Sequence, residues 1–362
     1  MPRPLPTTTL GAMTTILERP DTSGTTITRG SEFAPLLREI KNRGLLERRT
    51  GRYAAAIGVN LGLLSAVCLA ILAVGNSPWV LLLAVPAAVL STRTCFFGHD
   101  AGHQQIGSSR RLHDAVGLFH GNLLLGMSYG WWNDKHNRHH ANPNHTDKDP
   151  DVGAGVLVWT LDQAHGRAGL HGWLTRNQAW LFFPLLLLEG FNLKVAGVRD
   201  LRDRPPRERR IEGGLIAAHH ILYAALLLSA MSPGLALAFA VLHHMLFGLH
   251  LGSVFAPNHK GMEMPDPGNT EDRWGHLEKQ VLTSRNVDGH PVTDWLMGGL
   301  NYQIEHHLFP SMPRANLRHA QPVVRAYCAR IGMPYASTDL LDSYARGLRH
   351  LHLVGRDLRD AR

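Results

Sequence analysis

Twenty-three histidines are the unusual feature of this 362-residue chain, and most of the excess over an ordinary composition falls in clusters. His99-Asp100-Ala101-Gly102-His103 places two imidazoles four residues apart, which on a helix puts both on one face, where they can converge on one cation. His136-Asn137-Arg138-His139-His140 repeats the device with spacings of three and four. Gln303-Ile304-Glu305-His306-His307 has that spacing again, with Gln303 standing where a first histidine would be. One such motif is a weak signal, since an isolated pair is as readily a plain surface or core pair. Three of them on one predicted membrane face favour metal binding.

A ligand count follows. His99, His103, His136, His139, His140, His306 and His307 supply seven imidazoles, and His259 makes an eighth. Four ligands satisfy a zinc ion, so eight to nine positions imply two metals. Asp100, Asp134, Asp147, Asp149 and Glu305 are suited to accept the outward ring N–H and fix each tautomer. Cys68, Cys95 and Cys328 are scattered, which argues against a disulfide framework and against a thiolate-ligated metal. If the metals oxidise an unactivated hydrocarbon with O₂, iron is expected, because zinc has no redox chemistry.

The elements that must position these groups are membrane spans. No Asp, Glu, Lys or Arg occurs in the 40 residues from Tyr53 to Thr92, nor in the 47 from Gly213 to His259. Forty helical residues extend to about 60 Å, two crossings of a ~30 Å hydrocarbon core. Gly75-Asn76-Ser77-Pro78 divides the first block into spans of about 54–74 and 79–97, and Ser232-Pro233-Gly234 divides the second into about 213–231 and 235–256. Arginines crowd the flanks, at Arg38 to Arg52 and at Arg199 to Arg210, while the two turns carry none. That asymmetry puts the flanks, both termini and every histidine motif on the cytosolic side.

The expected fold is therefore all-α and integral to the membrane, with four spans in two hairpins and a cytosolic helical cap holding a two-metal site. The apolar stretch Asn177 to Leu188 has only 12 residues and is assigned to the interface, because a crossing there would separate the histidine motifs. Leu118 to Trp132 reads as interfacial or re-entrant. Residues 1–30 read as a disordered tail, 31–320 as the membrane enzyme domain, and 321–362 as a basic cytosolic segment.

Three stretches carry a resemblance. His-Asp-Ala-Gly-His at 99–103, His-Asn-Arg-His-His at 136–140 with the following Ala141 to Asp151, and Asn301 to Pro310 around Gln-Ile-Glu-His-His resemble the three histidine boxes of membrane fatty acid desaturases. The third box is similar to that of the branch containing front-end and bacterial acyl-CoA or acyl-lipid desaturases. The resemblance spans roughly residues 50–320. It implies a mushroom-shaped four-span protein, a di-iron centre, O₂ as co-substrate, and removal of two hydrogens from a fatty acyl chain. It also implies that His259 is a late ligand, that Asn258 holds a water, and that Gln303 binds metal weakly or holds a water. No His-Pro-Gly-Gly of a fused cytochrome occurs, so electrons are expected from a separate ferredoxin-like or cytochrome carrier and its reductase, docking near Arg314, Arg318, Arg325 and Arg330.

The remaining histidines divide. His219, His220, His243, His244 and His250 fall in or near the later spans and read as packing hydrogen bonds or as neighbours of a substrate tunnel. Trp295 and His250 are the tunnel candidates, and His145 is a further candidate to support a ligand. Trp131, Trp132, Trp159, Trp173 and Trp180 read as an interfacial belt. Competing functions are a di-iron hydroxylase or ketolase of lipid or carotenoid and a histidine-rich metal transporter, the latter disfavoured because the motifs follow the spans rather than lie within them. The net charge of +8 clusters beside the spans, which suits a bilayer, here the bacterial plasma membrane, and no nucleic acid.

Overall fold

The computed structural model describes residues 32–268 and 273–360. The expected N-terminal tail lies outside them. The chain up to the first motif forms α1 (Phe33–Asn42), α2 (Thr50–Val74), a 3₁₀ turn (Pro78–Leu83) and α3 (Ala84–Gly102), whose last turn carries His99. Next are α4 (Arg110–Gly117), a π-helical turn (Leu118–Leu124), α5 (Tyr129–Ala141) and α6 (Leu161–Ala164). Three long helices follow, α7 (Gly169–Asp200), α8 (Pro206–Ala230) and α9 (Pro233–His259). The rest is short apart from two cap helices: α10 (His276–Leu282), α11 (Pro291–Leu296), α12 (Gln303–Leu308), α13 (Arg314–Arg330), α14 (Leu340–Val354) and α15 (Arg356–Asp360). Two-residue strands β1 (Asn286–Val287) and β2 (Ser337–Thr338) pair in parallel.

Both expected hairpins are present. Gly75 closes α2 with φ of 62°, and Ser77 caps the following 3₁₀ turn by accepting from the Trp79 N–H. Pro233 opens α9 at a position where its missing N–H costs nothing. The two turns touch, since the Ser232 N–H donates to Asn76 Oδ1 at 2.9 Å, so they share one end of the bundle. Ile71, Val80, Phe239, Leu227 and their neighbours fill the core at that end. At the other end Leu36 and Ile40 of α1 pack with Ile304, Leu308, Leu317 and Val324 into the core of a cap.

Among the described residues five helices are long and apolar enough to cross a membrane, one more than expected. The four expected spans all lengthen into their flanks, to Thr50–Val74, Pro78–Gly102, Pro206–Ala230 and Pro233–His259. Charged residues propagate a helix as well as apolar ones do, so the edge of an uncharged block marks hydrocarbon rather than the end of a helix. The stretch assigned to the interface is the middle of the fifth, the 32-residue α7, because Glu189 and Lys194 continue the helix rather than stop it.

Two contacts set the course of α7. Near its start Gln178 Nε2 donates to Leu351 O of the cap helix α14 at 3.0 Å. At its end Asp200 holds Arg204 at 2.6 Å, and Arg204 in turn holds Asp134, two residues before His136. Between them α7 lies against α9 so closely that a Cβ on Gly248 would stand 2.5 Å from the Gly190 N. The expected interfacial segment before α5 is the π-helical turn, whose Asn122 is buried and donates to Glu212 of α8 at 2.9 Å.

Candidate metal centre

Each histidine motif sits where a helix ends at the cap. His99 lies in the last turn of α3 and His103 is its C-cap residue. His136, His139 and His140 ride on α5, and His259 is the final residue of α9, two after Pro257. His306 and His307 come from the six-residue α12, whose Ile304 N–H is fixed by Asn286 Oδ1 at 2.9 Å. Helix ends can approach one another closely, which is why four separate elements converge here.

They form two adjoining groups. In one, a ring nitrogen from each of His99, His103, His136, His140 and His306 lies within 4.8 Å of all the others. In the second, His139, His259 and His307 do the same. The groups meet where the His140 and His307 rings stack, with centroids 4.1 Å apart. All eight expected ligand histidines are therefore brought together. Gln303 joins the second group, its amide 2.9 Å from His259 Nε2, and Asn258 donates to Gln303 Oε1 at 3.2 Å.

The hydrogen-bond pattern decides what these rings can do. His139 Nδ1 faces Asp149 at 2.8 Å, His259 Nδ1 donates to Thr283 O at 3.0 Å, and His307 Nδ1 donates to Gln280 Oε1 at 2.9 Å. Their Nε2 atoms are thus left as lone-pair acceptors turned inward. In the first group His99 Nε2, His103 Nε2, His140 Nδ1 and both nitrogens of His306 are buried with no protein partner. Burial first, and the neighbouring imidazoles second, hold His103, His136, His140, His306 and His307 well below the ordinary value of 6.5. Two adjoining sets of buried imidazoles, the first with ring nitrogens that have no protein partner, could hold metal, and the residues present fit such a group.

The supporting acids are not where the sequence suggests in every case. Asp149 stands beside His139, and the Asn144 and Asp151 N–H groups also donate to it. Burial opposes its charge, yet His139 and the Asp151 N–H keep its carboxyl below the ordinary range. Asp100 Oδ1 faces His99 Nδ1 at 3.1 Å, and its other oxygen forms an ion pair with Arg314 at 3.0 Å. Asp134 instead pairs with Arg204, and Asp147 is exposed. Glu305 turns away from the rings, accepting from Asn286 and Tyr335 at 2.7 Å each, and burial pushes its carboxyl up to about 7. His145 is buried in the loop after α5, where it accepts the Asp147 N–H at 3.2 Å.

Arg314 is committed to Asp100 and lies over the Phe97 ring, so it is withdrawn from the basic surface expected to receive a carrier. Trp132, expected in an interfacial belt, stacks on His136 with centroids 4.5 Å apart. Gln280 and Thr283 had no motif to reveal them. Asp151, which pairs with Lys135 and lies 3.5 Å from His139, sat in plain view in the Asp-Lys-Asp-Pro-Asp run. The two tunnel candidates meet at one place: Arg93 covers the Trp295 ring at 4.4 Å, and His250 donates to Leu296 O at 3.1 Å.

Long apolar helices capped by two adjoining sets of buried imidazoles define a membrane protein with histidine clusters that could bind metal. The chain belongs to the fatty acid desaturase family, whose model matches residues 45–339. It is 33% identical over 267 residues to the Delta(6)-fatty-acid desaturase fat-3 of Caenorhabditis elegans, covering 70% of this chain and 60% of that protein. It is 31% identical to an acyl-lipid (9-3)-desaturase of Physcomitrium patens, covering 75% of this chain and 53% of the relative. It is 29% identical to the Delta(8)-fatty-acid desaturase 2 of Arabidopsis thaliana over 91% of this chain and 76% of the relative. The chain thus spans little more than half the length of the first two. These relatives come from a nematode, a moss and a flowering plant, so they lend no support to a bacterial membrane.

Proposed function

We propose that this chain is an O₂-dependent di-iron desaturase that introduces a cis double bond into a fatty acyl chain. The observation that carries the reading is the pair of adjoining histidine groups, the first of which leaves ring nitrogens of His99, His103, His140 and His306 buried without a protein partner. His99, His103, His136, His140 and His306 would hold one iron, and His139, His259 and His307, with Gln303 beside them, the other. Bound iron supplies the O₂-dependent oxidising power that an unactivated methylene chain requires. The relatives named as Delta(6), Delta(8) and acyl-lipid desaturases support an acyl substrate.

The residues of the chain do the positioning. Asp149, Thr283 O and Gln280 take the outward N–H of three rings and so fix which nitrogen faces the metals. Asn258 orients Gln303, and Trp132 stacked on His136 shields that ring from water. Trp295 and His250 are assigned to the mouth of the acyl passage. If an electron carrier docks on the cap, Arg318 and Arg325 remain as a basic surface for it, Arg330 being paired with Glu39 at 3.3 Å.

Four crossings fit the contacts. The rings of His139 and His259 are 4.7 Å apart, so an even number of crossings separates α5 from the end of α9. If α8 and α9 cross, α7 returns to the face it left, as its contacts with α14 and Arg204 at opposite ends favour. The arginine flanks put that face in the cytosol. Reporter fusions at positions 76, 150, 233 and 330 test this; an extracytosolic signal at 150 or 330 contradicts it. Turnover under ¹⁸O₂ tests the chemistry. An unlabelled product two mass units lighter than substrate is expected, whereas ¹⁸O in the acyl chain makes the protein a hydroxylase.

A further inference from the structure

α9 presents Asn258 and His259 on an end that the helix alone does not hold. Pro257 has no N–H to return to Ser253 O, so one rung of the helix is missing there. The last N–H the helix itself supplies is that of Lys260, to Ala256 O, which leaves the carbonyls of Pro257, Asn258 and His259 beyond it. A ring carried on such an end is only as steady as the groups that take those oxygens.

Other elements take them. Tyr344 of α14 donates its hydroxyl to Ser253 O, in place of the bond that Pro257 cannot make. Pro257 O accepts from Ser343 Oγ of α14 at 2.7 Å and from Arg285 Nη2 at 2.7 Å. The Arg285 backbone N–H donates to Asn258 O at 2.8 Å, and Asn144 Nδ2 to His259 O at 3.0 Å.

Arg285 is the centre of this arrangement. It is 2% exposed, and its guanidinium also reaches Lys260 O at 2.7 Å and Ser343 Oγ at 2.8 Å. A buried cation on the carbonyl end of a helix is favoured by the helix dipole, and the planar fork sends several donors in fixed directions, which an ammonium does not. Two residues earlier, Thr283 O accepts His259 Nδ1 at 3.0 Å. The stretch 283–285 therefore grips both the ring and the backbone that carries it. The match to the family model ends at residue 339, so Ser343 and Tyr344 lie beyond it.

We infer that Arg285, with Ser343 and Tyr344 of α14, is a positioning device that fixes the direction in which His259 meets the second metal. The inference rests on the two-metal reading and gives the C-terminal segment a part in the centre that its basic sequence does not suggest.

Iron release to a chelator, together with amide hydrogen exchange of the metal-free protein, tests it on the detergent-purified full chain. Arg285→Met should weaken one iron at least ten-fold, the one that His259→Ala removes, and leave the other as in the unaltered protein. Tyr344→Phe should show a smaller loss in that same iron and carries the test if Arg285→Met does not fold. Arg285→Lys, which keeps the charge without the fork, should fall between Arg285→Met and the unaltered protein. Amides of residues 254–260 should exchange at least ten-fold faster in Arg285→Met, with those of α3 and α5 unchanged. Unchanged exchange, loss of both irons together, or faster exchange with both irons held as before overturns the inference and leaves the desaturase reading untouched. No iron in the unaltered protein, with exchange at 254–260 still dependent on Arg285, sinks the di-iron reading while the hold on His259 stands.

Discussion

Two regions of this molecule are rich in histidine and differ in one respect. In the bundle, His243 has both ring nitrogens engaged, by Ser91 and Tyr223, and His219 has its own bonded to Leu123 O and Lys194. In the cap, the outward nitrogens of His139, His259 and His307 are taken by Asp149, Thr283 and Gln280; inward, His259 meets His307 and the Gln303 amide, while His99 Nε2, His103 Nε2 and both nitrogens of His306 have no protein partner. Histidine density is the same signal in both places. What separates a metal centre from a packing network is the nitrogen left over after the protein's own hydrogen bonds are made.

The largest expected effect comes from removing such a nitrogen. His136→Ala, His140→Ala or His307→Ala should abolish product and lower bound iron, whereas His243→Ala should leave the iron content unchanged. Iron analysis of membrane-purified variants checks both. A His243→Ala protein as iron-poor as His307→Ala would erase the distinction between the two regions.

Next in size is the support beneath a ring. Asp149→Asn keeps the shape but weakens the hold on His139, and should cost about 10- to 100-fold in metal affinity. Competition with a chelator measures it. Asp134→Asn, which touches Arg204 and no ring of the centre, should leave that affinity alone.

Acid provides a graded version of the same contrast. The lowered cap histidines bind fewer protons folded than unfolded, so their contribution to the stability of the metal-free protein is full above about 6.5 and is lost as pH falls below it. Denaturation midpoints at pH 7.5 and 5.5 should show the decline, and added iron should oppose it at the higher pH. A metal-free protein more stable at 5.5 would contradict the buried neutral state of these rings.

The smallest effect is expected in the bundle. Losing the hydrogen bonds of His243 should destabilise the fold by about 1–3 kcal/mol. Thermal unfolding of His243→Ala reads this directly, with the iron content held as the control.

Much of this was legible beforehand because spacing encodes it. His99 and His103, and the trio on α5, had to share a helix face, and the uncharged blocks had to be buried in hydrocarbon. The eight rings converge as their spacing and the two hairpins require. Gln280 and Thr283 were invisible because a single residue in a short helix carries no pattern. Asp134 misled because nearness in sequence to His136 says nothing of Arg204, which reaches it from the far end of α7. The length of α7 was hidden for a related reason: Glu189 and Lys194 break a hydropathy run without breaking a helix.

The central claim is that the cap holds two metal ions, that they are iron, and that both histidine groups are needed. Metal content and ⁵⁷Fe Mössbauer spectra of the purified protein test it most directly. Two irons per chain, with spectra of a nitrogen-rich coupled pair that disappears in both His103→Ala and His259→Ala, is the predicted result. One metal per chain, or a redox-inert zinc supporting full activity, would contradict it.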